Sequence, residues 1–264
     1  MLNLNKVNLD LVKEDFELNI EVIGKFYPPY ADKIFSDASD FDKEYLSEKI
    51  SNCAGELGYI YYQREDEDQS KYYFRMQSEA LSRKLFYQKP PEIVEHTRTP
   101  WEYIEALELV ISFGNENDLE ILIQIEDIKF IHGTPEEVEE CKFLAHTAFA
   151  LRSFLKSGSV ESSLLTDLVA LSESKNVNRE EKHFILPVVH GLKALLEEDK
   201  DAWEVSIQEA LDAHLKEVKS GDYRDDINGF ICMPGMMLIK LGADKGWQST
   251  IDSLYLPKQL MELS

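Results

Sequence analysis

The chain has 264 residues, 44% hydrophobic and 30% charged, enough apolar material for a substantial core without disulfide or metal staples. Its 28 Lys and Arg stand against 50 Asp and Glu, a net charge of −22 that repels phosphate backbones and anionic lipid, so neither nucleic acid nor a membrane surface is an expected partner. Cys53, Cys141 and Cys232 are too few and too scattered for a disulfide framework, and with no cationic start leading into an apolar block and no apolar run of membrane-spanning length, a cytoplasmic protein is expected.

From the N-terminus onward, apolar residues recur at three- and four-residue steps, the spacing of one helix face. Val12, Phe16, Ile20, Ile23 and Tyr27 predict a first helix ending at Pro28-Pro29. Leu46, Ile50, Cys53, Leu57 and Ile60 predict a second, running out into the charged stretch 64–68. Tyr73, Met76, Ala80, Leu81 and Leu85 predict a third, closed by Pro90-Pro91. Two helix starts follow, at Thr99-Pro100 and Thr134-Pro135, each with a capping Thr, a Pro at the first helical position and a Glu three residues after the Thr. From the second start a helix carrying Cys141, Leu144, Ala148, Leu151 and Leu155, widened by Phe143, Phe149 and Phe154, runs to Gly158 and is expected to be the central one.

Strand signals are confined to short apolar runs at 121–125 and 129–131, without useful alternation. Beyond Gly158, helices are expected near 160–173, 178–198 and 201–219, with Pro187 kinking the second. Asp201 and Glu204 have capping-box spacing, and Trp203, Ile207, Leu211, His214 and Val218 form the buried stripe of the last. The expectation is an all-α protein of packed antiparallel helical hairpins, a single domain over residues 1–264 with its softest boundary near Gly158. Nothing recurs at about 34 residues, so a regular repeat solenoid is not expected.

Reactive constellations are missing. The sequence has no His-Glu-x-x-His, no Gly-x-Ser-x-Gly elbow, no phosphate loop and no Gly-x-Gly-x-x-Gly. A di-iron bundle needs two Glu-x-x-His pairs, and only Glu180/His183 occurs; it reads as a helix-surface pair, with His190 on the same face. Cys141 and His146 lie five apart on one helix and point to different sides, so they make no nucleophile–base pair. No catalytic residue, metal or cofactor is expected.

What remains is acid. Glu65, Asp66, Glu67 and Asp68; Glu136, Glu137, Glu139 and Glu140; and Glu197, Glu198 and Asp199 form dense anionic segments at helix ends and turns. Each read alone is a solubilising surface. Taken together they suit a chain that meets a basic partner, because opposite potentials speed encounter.

The most distinctive run is at the end. Tyr223-Arg224 and Asp226 form a polar link, Gly229-Phe230 a turn, Met233 onward an apolar helix broken by Pro234, and Tyr255-Leu256-Pro257 a closing segment. This stretch, about 200–257, resembles the immunity protein 49 family of bacterial antitoxins, which are encoded beside polymorphic secreted toxins. The resemblance implies an all-helical cytoplasmic protein that binds and silences a cognate toxin domain; the net charge adds the expectation that this domain is basic and nuclease-like. It supplies no catalytic residue, and the eight matching side chains read first as packing of the last helix. The alternative is a helical scaffold or peptide-binding module with a groove lined by the aromatics at 59–62 and 72–74. Should the chain be an enzyme instead, Glu180, His183 and His190 are its first candidates.

Overall fold

The computed structural model describes residues 2, 4–7, 9–34, 36–88, 100–125, 141–173, 177–179 and 181–261. Among these residues the chain is helical, with no strand. The helices are α1 (Leu9–Lys33), α2 (Asp40–Gln63), α3 (Glu67–Tyr87), α4 (Pro100–Phe113), α5 (Glu116–Ile123), α6 (Lys142–Ser157), α7 (Ser162–Ser172), α8 (Leu186–Glu197), α9 (Lys200–Ser220) and α10 (Met233–Ala243). A π-helical turn, Glu181–Ile185, leads into α8, and short 3-10 turns at Asp222–Arg224 and Ile227–Phe230 join α9 to α10. The all-α expectation holds, with α2–α3 as the closest-packed consecutive pair, followed by α1–α2 and α8–α9.

Two cores divide the work. The smaller is built by α1, α2 and α3 around Tyr30, Ile50, Leu57, Tyr73 and Ala80. The larger takes the opposite face of α2–α3, through Tyr59, Tyr62 and Phe74, and packs it on α4 to α10. Leu151 and Leu168, on either side of Gly158, both belong to it. Gly158 itself ends α6 in the left-handed conformation at φ 69°, where glycine carries no Cβ penalty.

Several sequence expectations need correction. Helix α1 does not stop at Pro28-Pro29 but continues to Lys33, because Tyr30 and Ile34 beyond the prolines are buried against the rest of the small core. The central helix is α4, not the one before Gly158. In α4 almost every position from Tyr103 to Phe113 is buried, as expected for a helix apolar nearly all round, whereas α6 leaves Arg152 to Leu155 only partly covered. Residues 121–123 are the end of helix α5, not a strand; 129–131 and the start at Thr134 lie outside the described residues.

Pro187 does not kink a continuous helix. It sits in the first turn of α8, where its missing N–H costs nothing, and the irregularity falls just before it as the π turn. Glu204 is not part of a capping box: the N-cap of α9 is Asp199, and Glu204 reaches across to accept from the amide of Thr250 at 2.7 Å, its hydroxyl at 2.8 Å, the Ser249 hydroxyl and the Ile251 amide. Burial alone would push this carboxyl up; the donors outweigh it and hold Glu204 below the usual carboxylate range. The stripe from Trp203 to Val218 is buried as expected, and Trp203 donates to the Leu238 carbonyl at 2.8 Å.

Candidate functional site

Two of the three acidic clusters can be placed, and both are hairpin turns built alike. After α2, Glu65 takes the left-handed conformation at φ 63°; its amide donates to the Tyr62 carbonyl and that of Asp66 to Tyr61, closing the last turn. Asp66 then caps α3 by accepting from the Gln69 amide, and Glu67 and Asp68 occupy the first turn, where the helix dipole favours anions. After α8, Glu198 repeats the conformation at φ 57°, the Asp199 amide donates to Ala194, and Asp199 caps α9 through the Ala202 amide at 2.9 Å. All seven side chains are exposed. Glu136, Glu137, Glu139 and Glu140 lie outside the described residues.

The C-terminal run is held by the N-terminal segment. Asn5 Nδ2 donates to the Tyr223 carbonyl at 2.9 Å and to the Asp226 carbonyl at 2.6 Å, and the Lys6 amide donates to the Arg224 carbonyl at 2.9 Å. The Arg224 guanidinium, exposed, pairs with its neighbour Asp225 at 2.9 Å, while Asp226 caps the next 3-10 turn through the Asn228 amide at 2.8 Å. Gly229 has no room for a side chain, since a Cβ would stand 2.5 Å from the Tyr223 carbonyl oxygen. Phe230, Leu256 and Pro257 are buried, and the Tyr255 hydroxyl donates to the Leu4 carbonyl.

Tyr223 does something further: it walls a cavity of about 400 Å³ behind α4, together with Tyr59, Glu105, Glu108, Phe184 and His214. An outer cleft of about 780 Å³ shares Trp101, Glu105, Phe184 and Tyr223 and continues past Arg179 and His183. Rings follow one another along the wall: Trp101 to Phe184 at 6.3 Å between centroids, Phe184 to Tyr223 at 5.5 Å, Tyr223 to His214 at 5.4 Å. The π turn puts Phe184 into this row, and the 222–224 turn puts Tyr223 there.

The acids come from one face of α4, with Trp101, Glu105 and Glu108 four and then three residues apart. Trp101 Nε1 donates to Glu105 Oε1 at 2.7 Å. Glu105 is open to solvent yet sits in a crowded concave wall; that burial raises its carboxyl, against which the Trp101 hydrogen bond works. Glu108 is only 6% exposed, and among the described residues its carboxyl makes no hydrogen bond or ion pair. Burial first, and the nearby Glu105 second, push its pKa well above the usual range. On the facing side, His214 donates from Nε2 to the Gly229 carbonyl at 3.0 Å, and burial lowers it to about 4, so the ring is neutral. Burial likewise raises the Tyr59 and Tyr223 hydroxyls.

Glu105 and Glu108 escaped the sequence reading. The available signal was their setting: a helix apolar on nearly all sides is buried on nearly all sides, so acids within it must find a partner or a cavity. Glu102 found a partner, Lys84, at 2.7 Å.

The other candidates are not brought together. His183 stands near Lys216 and Arg179, and burial followed by those cations lowers its pKa; His190 instead meets Glu209 at 2.8 Å, and Glu180 lies outside the described residues. Among the described residues no three His, Cys, Asp or Glu side chains gather as metal ligands. Tyr62, Tyr73 and Phe74 are buried in the two cores and Tyr61 is half-buried, while Tyr59 and exposed Tyr72 face different cavities, so the group does not line one peptide groove. A larger cleft, about 920 Å³, lies where α3, α4, α5 and α10 meet, but it mixes charges of both signs, Lys71, Arg75 and Lys240 with Asp68, Glu116 and Asp244.

Fold and cleft first define a class: an all-helical protein whose most unusual side chains are acids on a concave aromatic face. The family model of immunity protein 49 matches residues 94–260, from just before α4 through a final 3-10 turn at Lys258–Leu260, and the chain belongs to that family. The match extends well upstream of the stretch, about 200–257, in which the resemblance is visible by eye. No curated protein and no solved structure gave a match. No helix among the described residues is long and apolar enough to cross a membrane.

Proposed function

We propose that the protein is a cytoplasmic immunity protein, one domain over residues 1–264, that neutralises a cognate secreted toxin by stoichiometric occlusion rather than by catalysis. The observation that carries this reading is membership of the immunity protein 49 family, over a stretch that takes in most of the large core. The charge of −22 favours a basic, nuclease-like toxin domain, because a strongly anionic surface steers cations to it. The exposed turns at 65–68 and 197–199, together with 136–140, are the proposed steering groups, and the C-terminal motif holds the scaffold behind them.

Co-expression with the toxin domain encoded beside its gene is the test. Rescue of growth and recovery of a stoichiometric complex are expected; no rescue and no complex overturn the reading. If the acids steer, raising salt slows association roughly tenfold while dissociation changes little, and reversing the charge of each cluster in turn shows which one faces the toxin.

A further inference from the structure

We propose that the cavity behind α4 is a receptor for an organic cation, a guanidinium or ammonium group seated between Glu108, Gln77 and the aromatic wall. Two acceptors facing the cavity lack a partner among the described residues. Glu108 is more than nine-tenths buried, lines the cavity and has no partner for its carboxyl among the described residues. Gln77, on the α3 side of the same cavity, has an amide oxygen that is also buried and without a donor. Buried polar atoms are nearly always satisfied, so the idle Gln77 oxygen, with the Glu108 carboxyl opening onto the same space, calls for a donor from outside the chain. Among the described residues no Lys or Arg lines this cavity to supply it.

The form of the donor follows from the walls. Tyr59, Trp101, Phe184 and Tyr223 present aromatic surface, whose ring faces attract cations, and a guanidinium offers a planar fork of N–H donors for a carboxylate. A metal ion is the poorer fit, because among the described residues the two carboxyls of this face gather no third ligand. The volume, about 400 Å³, is in the range of small-ligand sites. The outer cleft, which shares Trp101, Glu105, Phe184 and Tyr223, gives the route in, with Glu105 as an exposed acid at the junction. A cation there also answers the mutual repulsion of Glu105 and Glu108.

Two sources carry the same chemistry: an Arg or Lys side chain projecting from the bound toxin, or a free small amine. Only the first rests on the toxin-neutralising reading. The test uses the full chain, agmatine as the free probe followed by calorimetry, and the neighbouring toxin domain as the second arm. Glu108→Gln keeps the shape and removes the charge, circular dichroism checks its fold, and Glu105→Gln is the companion variant.

Agmatine binding that Glu108→Gln weakens at least tenfold supports the site with a free cation as ligand. Absence of agmatine binding with a toxin complex weakened at least tenfold by Glu108→Gln supports it with a toxin side chain as ligand. Agmatine binding absent or indifferent to Glu108→Gln, together with a toxin affinity that does not change, overturns the proposal. A toxin domain that fails to bind the wild-type chain removes the toxin reading and leaves the agmatine arm to decide.

Discussion

Glu65-Asp66 and Glu198-Asp199 stand in solvent at the ends of two hairpins, whereas Glu105 and Glu108 stand on one face of a helix otherwise sunk in the core. At the turns, each Asp is matched by the amide it caps and each Glu holds a left-handed backbone position. In the cleft the Trp101 hydrogen bond meets part of the cost of removing a charge from water for Glu105, and nothing among the described residues meets it for Glu108. The difference separates two meanings of an acidic residue: at the turns the acid shapes and solubilises, and in the cleft it waits for a partner.

A third acid tests whether burial or lack of a partner is what sets Glu108 apart. Asp118 is fully buried but satisfied, pairing with buried Arg83 at 3.1 Å and closing the capping box with Asn115 at the start of α5. Asp118→Ala removes the nearest carboxylate from that guanidinium and the cap together. Urea unfolding is expected to show a loss of about 3–5 kcal/mol, the cost of breaking a buried pair. A loss below about 1 kcal/mol would mean that burial of charge is inexpensive in this fold and that the idle Glu108 signifies little.

The next effect comes from the same cavity. His214 has its pKa lowered to about 4 in the folded chain against an ordinary 6.5, so the unfolded state takes up a proton first as pH falls. Stability from this group is whole above pH 6.5 and is lost down through about pH 4, by roughly 3 kcal/mol. Glu105 and Glu108, raised rather than lowered, act in the opposite sense over acidic pH. His214→Gln keeps a donor for the Gly229 carbonyl and does not titrate, so the wild type should lose stability relative to it between pH 7 and pH 4. Parallel curves for the two proteins would show that the ring is not held neutral by the cavity wall.

These contrasts also explain what could be read in advance. The stripe Trp203–Val218 and the helices at 46–60 and 73–85 were legible because one-sided periodicity maps directly onto one buried face. The central place of α4 was not, because in a helix apolar on nearly every side periodicity no longer points anywhere. Pro28-Pro29 misled because local breaker chemistry was overruled by tertiary burial of Tyr30 and Ile34. Tyr223 was legible as part of a motif, but its place in the cavity depends on Asn5, more than two hundred residues away, and on a π turn that no local pattern announces. The acid clusters stood out for the plain reason that surface charge is dense in sequence, whereas the cleft needs only two carboxyls.

The smallest effect is at the turns themselves. Glu65 and Glu198 hold the left-handed conformation, which costs an L residue roughly 1–2 kcal/mol and glycine nothing, while glycine gives back about 0.5–1 kcal/mol in unfolded-chain entropy. Glu198→Gly is expected to raise stability by about 0.5–1 kcal/mol, and Glu65→Gly by less because its side chain also gives up an interaction, both read as a higher urea midpoint with an unchanged slope. Each also deletes one exposed negative charge, so the same variants separate the two duties of the position. A more stable protein that associates more slowly with the toxin domain at low salt assigns these glutamates to steering, since conformation alone would favour glycine there. A more stable protein with an unaltered association rate leaves them as turn residues only, and moves the weight of recognition toward the cleft.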